Sequence, residues 1–152
     1  MEPASIRDAP IEIQLNAESF DEVCRSFRWR IPKKYNIALD ACDRHAHSDR
    51  LALIYEGDSG SVASYTFRDL KAFSDSLASF LSSIGVKAGD RVGIVFPQRP
   101  EAAIAHLAVY KIGAVAVPIS PLFAEEGLRF RLKDSGAKVL ITYEGGVRRL
   151  GS

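Results

Sequence analysis

Short apolar segments alternate with amphipathic ones between residues 91 and 142, and this alternation constrains the fold more than any other feature of the chain. It predicts a strand at 91–96, a helix at 100–111, a strand at 115–119, a helix at about 125–134 and a strand at 138–142. Nearly continuous apolar strands that alternate with helices form a parallel sheet covered on both faces, with right-handed crossovers. We therefore predict the α/β fold class, with the order β-α-β-α-β.

A helix and a hairpin precede this unit. Apolar residues recur at helical spacing within 35–46, which predicts an amphipathic helix. Two β-prone runs, 51–55 and 62–66, flank a loop that contains Gly57 and Gly60. This composition is typical of two antiparallel strands joined by a longer loop.

The clearest helix signal begins at Thr66. Thr66 and Asp69 have the spacing of a capping box, and Gly85 stands where a left-handed cap ends a helix. The apolar residues between these signals predict a stripe that faces the core, made of Leu70, Phe73, Leu77, Leu81 and Ile84.

The pattern divides the chain into two parts. Residues 1–34 show no sustained period and are predicted to form an N-terminal extension, anchored to the main body by Trp29, the only tryptophan. Residues 35–152 are predicted to form a partial domain, because the chain stops after its third parallel strand without a further crossover and leaves a sheet edge uncovered. The 47% hydrophobic and 26% charged residues have the balance of a soluble globular protein.

Charge and hydropathy exclude several classes of partner. The formal net charge of +1 provides no large field of one sign, so we predict no nucleic-acid partner. No apolar run reaches the roughly 18 residues of a membrane span, and the first ten residues lack the apolar region of a secretory signal. These features predict a cytoplasmic location.

The cysteines and histidines form no pattern of a metal or catalytic site. Cys24 and Cys42 lack the spacing of a zinc site or redox pair and are predicted to be reduced, structural thiols. His45 and His47 could present two imidazoles to a metal if the segment were extended, but a solvated polar stretch is favoured because no third ligand is evident. His106 lies in an alanine-rich helix and is predicted to be a packing or partly exposed residue.

No glycine-rich phosphate loop follows a predicted strand. The turns at 97–100 and 120–123 match neither GxGxxG nor GxxxxGK[ST]. Arg148 and Arg149 follow two glycines, and guanidinium groups beside flexible backbone suit phosphate capture. A solvated basic tail is the alternative interpretation of these two arginines.

Four segments together resemble a known family. Residues 64–70, Ser-Tyr-Thr-Phe-Arg-Asp-Leu, resemble the first core motif of the adenylate-forming enzymes, which include acyl-CoA synthetases, luciferases and the adenylation domains of peptide synthetases. Residues 110–120 resemble the second motif, and 85–92 and 134–142 resemble the connecting segments in the right order. The resemblance covers roughly 35–148 and implies the start of the large N-terminal AMP-binding domain.

Within the family, segments 27–32 and 144–148 are similar to those of acetyl-CoA and medium-chain acyl-CoA synthetases. The resemblance implies an acid-thiol ligase of fatty acid metabolism, which activates a small carboxylic acid with ATP and Mg²⁺ and transfers the acyl group to CoA. It also implies that Arg148 lies near the CoA phosphates.

The resemblance implies no catalytic residue within this chain. The Ser/Thr/Gly-rich loop that ends in Pro-Lys, the Tyr-Gly-x-Thr-Glu segment, the ribose-binding aspartate and the late catalytic lysine of the family have no counterparts in the sequence. We therefore predict that the 152 residues alone are inactive and bind none of these ligands tightly. The alternative is a non-catalytic binding module derived from the same scaffold.

Overall fold

A computed structural model describes residues 19–28 and 32–150, and the chain divides into two units with the boundary between Tyr35 and Asn36. In the first unit, helix α1 (Phe20–Ser26) begins where the Ser19 hydroxyl accepts a hydrogen bond from the backbone N–H of Glu22. Cys24 on this helix is exposed rather than buried. Trp29, the predicted anchor, lies outside the described residues, and the extension at 1–34 stays a prediction.

The second unit contains the remaining described elements. In chain order they are α2 (Ile37–Ala41), a 3-10 helix (Asp43–His45), β1 (Leu51–Glu56), β2 (Val62–Thr66), α3 (Phe67–Ser83), β3 (Arg91–Val95), α4 (Pro100–Lys111), β4 (Val115–Pro118), α5 (Glu125–Ser135), β5 (Val139–Thr142) and α6 (Glu144–Arg149). The predicted hairpin and the predicted β-α-β-α-β order are therefore confirmed. No helix in the described part of the chain is long and apolar enough to span a membrane.

Two sheets organise this unit. β1 and β2 pair antiparallel, with Ile54 opposite Ser64. β3 lies at the centre of a parallel sheet of order β4-β3-β5. The α/β fold class is confirmed.

Helices cover both faces of the parallel sheet. On β3, Val92 and Ile94 belong to a core cluster with residues of α3 and α4, whereas Val95 belongs to a second cluster that includes Leu128 of α5. Successive strand residues point to opposite faces, so α4 and α5 lie on opposite sides of the sheet. The α5 side leaves no room for a side chain at Gly93, because a Cβ there would lie 2.7 Å from Leu132 Cδ2.

The predicted boundaries of α3 are confirmed. The Thr66 hydroxyl accepts from the backbone N–H of Asp69, 3.1 Å away, and the Asp69 carboxylate accepts from the backbone N–H of Thr66, 2.8 Å away. Gly85, just beyond the helix, has φ +88°, a left-handed conformation that glycine adopts at little cost.

The predicted core stripe of α3 is wrong at two positions. Phe73 is 49% exposed and Ile84 is 47% exposed, whereas Ser74 and Ala78 are buried beside Leu81. Successive residues are turned by about 100° around the helix axis, so the middle of the buried face lies between Leu81 and Ser74. Phe73 and Ile84 point to the side of this face rather than into it. Small side chains on this face let α3 approach α4 closely.

Helix α2 is also shorter than the helix predicted for this segment. The pattern predicts a helix over 35–46, but α2 ends at Ala41, and a 3-10 helix follows after Cys42. Cys42 has φ −127° and ψ −63°, which breaks the α-helical backbone, and its side chain is buried.

Candidate binding site at the carboxyl edge of the sheet

The three parallel strands end at one common edge. From β3 the chain crosses to β4 on one side and then to β5 on the other side, so the crossovers diverge between β3 and β5. In open parallel α/β sheets, ligands bind outside the carboxyl ends of the strands at such a switch point. The residues that follow β3 and β5 therefore define the candidate site.

A side-chain hydrogen bond connects β3 and β5 at this edge. The Thr142 hydroxyl, at the end of β5, donates a hydrogen bond of 2.8 Å to the carbonyl oxygen of Val95, at the end of β3. The next residues along the two strands, Phe96 and Tyr143, have ring centroids 6.2 Å apart. An aromatic pair thus stands directly outside the β3–β5 edge.

Helix α6 begins immediately after this pair and was not predicted. The sequence indicates flexible backbone around Gly145 and Gly146, but both residues are helical. Gly146 is buried because α6 packs against the end of β5. The only local signal for the helix is the spacing of Glu144 and Arg148, which form an i,i+4 ion pair.

The structure separates the two arginines of the tail. The Arg148 side chain is 76% exposed and pairs with the equally exposed Glu144. The Arg149 guanidinium instead donates a hydrogen bond to the carbonyl oxygen of Pro121, in the loop that follows β4. Both arginines are exposed, but Arg149 links α6 to the neighbouring loop, whereas Arg148 pairs within its own helix.

The histidines take structural positions in the described residues. His106 is half-buried on α4, where its Nδ1 lies 2.7 Å from the carbonyl oxygen of Ala102 and its ring is 6.0 Å from that of Tyr110. His45 ends the 3-10 helix, and His47 Nδ1 lies 2.9 Å from the carbonyl oxygen of Arg44. Within 19–28 and 32–150, no three His, Cys, Asp or Glu side chains are grouped so that they could hold a metal ion.

A buried lysine forms an ionic cluster that the sequence did not predict. Lys111 Nζ lies 2.8 Å from Asp43 Oδ1 and 2.5 Å from Asp75 Oδ1, and the lysine side chain is only 7% exposed. Asp75 also pairs with Lys71 on α3. Since Lys111 is on α4 and Asp43 is on the 3-10 helix, this cluster joins three helices. We call these four residues the Lys111 cluster.

The charges of the cluster stabilise one another. Burial by itself would raise the pKa of Asp75, but hydrogen bonds from Lys111 and Lys71 outweigh it and hold this pKa below its ordinary value. The hydrogen bond to Asp75 correspondingly raises the pKa of Lys71. The buried Asp43 Oδ1 contacts Lys111 without hydrogen-bond alignment. The cluster stabilises the packing of these three helices. It lies on the α3–α4 face of the sheet rather than at the candidate site.

Helices on both faces of a parallel sheet, with a basic side chain at its carboxyl edge, are typical of α/β domains that bind anionic ligands. Residues 40–151 match the model of the family described as AMP-binding enzyme. This match spans most of the chain, and the chain belongs to the AMP-binding enzyme family.

Sequence identity to individual proteins supports this assignment. The chain is 42% identical to an acetyl-coenzyme A synthetase of Gemmatimonas aurantiaca over an aligned segment of 125 residues. This segment is 80% of this chain and 19% of that protein. It is 38% identical over 136 residues to an acetyl-coenzyme A synthetase of Magnetococcus marinus, over 88% of this chain and 21% of that protein. The chain thus spans about a fifth of the length of these relatives.

A solved structure has the same fold. The crystal structure of an acyl-CoA synthetase of Brucella canis superposes with a TM-score of 0.83 at 25% identity, over 90% of this chain and 27% of that protein. The predicted resemblance to adenylate-forming enzymes of the acyl-CoA synthetase type is confirmed.

Proposed function

We propose that this chain is the N-terminal part of an AMP-forming acyl-CoA synthetase. The observation that carries the proposal is the match of 40–151 to the AMP-binding enzyme family, together with 42% identity to an acetyl-coenzyme A synthetase. The relatives reported above are all synthetases, which favours an enzyme over a non-catalytic module. We further propose that the complete enzyme acts on a small carboxylic acid in the cytoplasm.

The proposed reaction has two steps. A carboxylate oxygen attacks the α-phosphate of ATP, which forms an acyl-adenylate and releases pyrophosphate. The thiol sulfur of CoA then attacks the acyl carbonyl, loses its proton and displaces AMP. Both steps build up charge on phosphate or carbonyl oxygens, which positioned cations and N–H groups must stabilise.

The described residues support one contribution to this reaction. Arg148 is exposed on α6, the helix that follows β5, and a guanidinium group is well suited to phosphate. We propose that Arg148 binds a phosphate group of CoA, which displaces Glu144 from the guanidinium. We further propose that the complete enzyme uses ATP together with Mg²⁺, as the family resemblance implies.

Steady-state kinetics of the complete gene product test this proposal. Arg148→Ala removes a charge-assisted hydrogen bond worth about 1.5–3 kcal/mol, so the KM for CoA should rise about tenfold or more. Acid-dependent exchange of pyrophosphate into ATP, which needs no CoA, should be unchanged. Arg44→Ala is the matched control, because Arg44 on the 3-10 helix forms an i,i+4 pair of the same kind with Asp40 at the end of α2.

Two results would contradict the proposal. An unchanged KM for CoA in Arg148→Ala would remove the role of this arginine. ATP-dependent acyl-CoA formation by the 152 residues alone would refute the view that they supply only part of the machinery.

A further inference from the structure

Helix α6 lies so close to β5 that one of its positions admits no side chain. A Cβ built on Gly146 would overlap the hydroxyl oxygen of Thr142 and would lie 3.2 Å from Thr142 Cβ. The first contact is shorter than real Cβ atoms show and the second is tight, so a larger residue at 146 requires either that Thr142 rotates or that α6 moves away from the strand.

Thr142 cannot simply turn away to make room. Its hydroxyl donates the 2.8 Å hydrogen bond to the Val95 carbonyl oxygen on the central strand. Rotation of the side chain would break this bond and leave a carbonyl oxygen at the sheet edge without its partner, which is costly. The position of α6 is thus fixed by β3 as well as by β5.

This packing determines the direction of Arg148. At about 100° per residue, Arg148 lies about 200° around the helix from Gly146. With Gly146 against the strand, Arg148 therefore faces away from the sheet, in agreement with its 76% exposure. The hydrogen bond from Arg149 to the Pro121 carbonyl oxygen holds the same helix from the β4 side and limits its rotation.

We propose that Thr142 and Gly146 are positioning residues for Arg148, which they hold on the solvent-exposed face of α6, where it can bind a phosphate group of CoA. This inference rests on the proposed function, since it assumes that Arg148 binds that ligand. Neither residue needs to contact CoA. Their role is to fix the helix that carries the guanidinium.

Substitutions in the complete gene product test the inference, with two readouts. Gly146→Ala should raise the KM for CoA at least fivefold and leave acid-dependent pyrophosphate exchange within twofold of the unmodified enzyme. Thr142→Val, which removes the hydroxyl, should act in the same direction, whereas Thr142→Ser keeps the hydroxyl and should behave like the unmodified enzyme. If Gly146→Ala does not fold, the Thr142 pair decides alone.

A combined variant provides a sharper test. Thr142→Ala removes the atom that a Cβ at 146 would overlap, so adding Gly146→Ala to Thr142→Ala should cause no further rise in the KM for CoA. Equal losses of exchange and of overall activity in Gly146→Ala would overturn the inference, because they indicate general damage.

The outcomes separate this inference from the function on which it rests. If Arg148→Ala raises the KM for CoA but neither Gly146→Ala nor Thr142→Val does, positioning is wrong and the role of Arg148 stands. If Arg148→Ala has no effect on that KM, the proposed phosphate contact and the positioning role both fail.

Discussion

Lys111→Met tests whether the Lys111 cluster holds the helices together. The substitution keeps most of the apolar stem but removes the ammonium group from between two carboxylates. Asp75 is 42% exposed and retains Lys71, so water and the remaining lysine can compensate its charge. Asp43 is only 14% exposed and would keep a buried charge without its cation.

The magnitude follows from this difference in exposure. Removal of one partner from a buried ion pair costs about 3–5 kcal/mol. Because only one of the two carboxylates is deeply buried, we expect the lower end, about 3 kcal/mol, as a decrease in the free energy of unfolding. Urea denaturation of the chain at pH 7, followed by far-UV circular dichroism, measures it.

Two further variants make the result specific. Lys133→Met changes an exposed lysine on α5 and should alter the free energy of unfolding by less than about 0.5 kcal/mol. Asp43→Asn combined with Lys111→Met should cost about 2 kcal/mol less than the sum of the single changes, because the uncompensated charge is gone. A loss below about 1 kcal/mol in Lys111→Met, or additive losses in the double variant, would refute this interpretation of the cluster.

Two other predictions concern the sheet and its connections. Gly93→Ala should lower the free energy of unfolding, measured by urea denaturation, by about 1–3 kcal/mol, because the new Cβ would lie 2.7 Å from Leu132 Cδ2 in a packed cluster. An unchanged midpoint of urea denaturation would contradict this close approach. The hydrogen bond from Lys138 holds the pKa of Asp90 below its ordinary value. The pair therefore stabilises the fold at pH values above the ordinary aspartate pKa. This contribution is lost as the pH falls through the lower pKa that Asp90 has in the folded state. Asp90→Asn should therefore flatten the stability profile below about pH 4, where the Asp90 contribution is lost. A profile parallel to that of the unmodified chain would contradict the pKa shift.

Local signals in the sequence predicted the elements well. The capping box at Thr66 and the left-handed glycine at Gly85 act within a few residues of themselves, and both are present in the structure. The three parallel strands were predicted within two residues, because apolar runs between turn residues have few other solutions. Strand order follows from packing between distant segments, which no local pattern in the sequence encodes.

Packing between helices was harder to predict. The large apolar residues of α3 predicted its core face, which placed Phe73 in the core, whereas Phe73 is exposed. The structure buries Ser74 and Ala78 instead, because the contact with α4 uses alanines such as Ala105 and Ala108 and requires small partners. Hydropathy alone does not register this preference for small volume.

The candidate site was predicted only in part. Arg148 was identified through the family resemblance, and its phosphate contact remains a proposal. Helix α6 was missed because glycines have low helix propensity, and Gly146 is needed only because Thr142 lies against it. The Lys111 cluster was missed because Asp43 is 68 residues away from Lys111 along the chain, and no local pattern connects them.

Exchange of labelled pyrophosphate into ATP by the complete gene product tests the assignment to AMP-forming acyl-CoA synthetases most directly. We expect exchange that depends on a small carboxylic acid and needs no CoA, and, once CoA is added, equal amounts of AMP and acyl-CoA. Release of ADP and phosphate in place of AMP and pyrophosphate, or exchange that no carboxylic acid stimulates, would contradict the assignment.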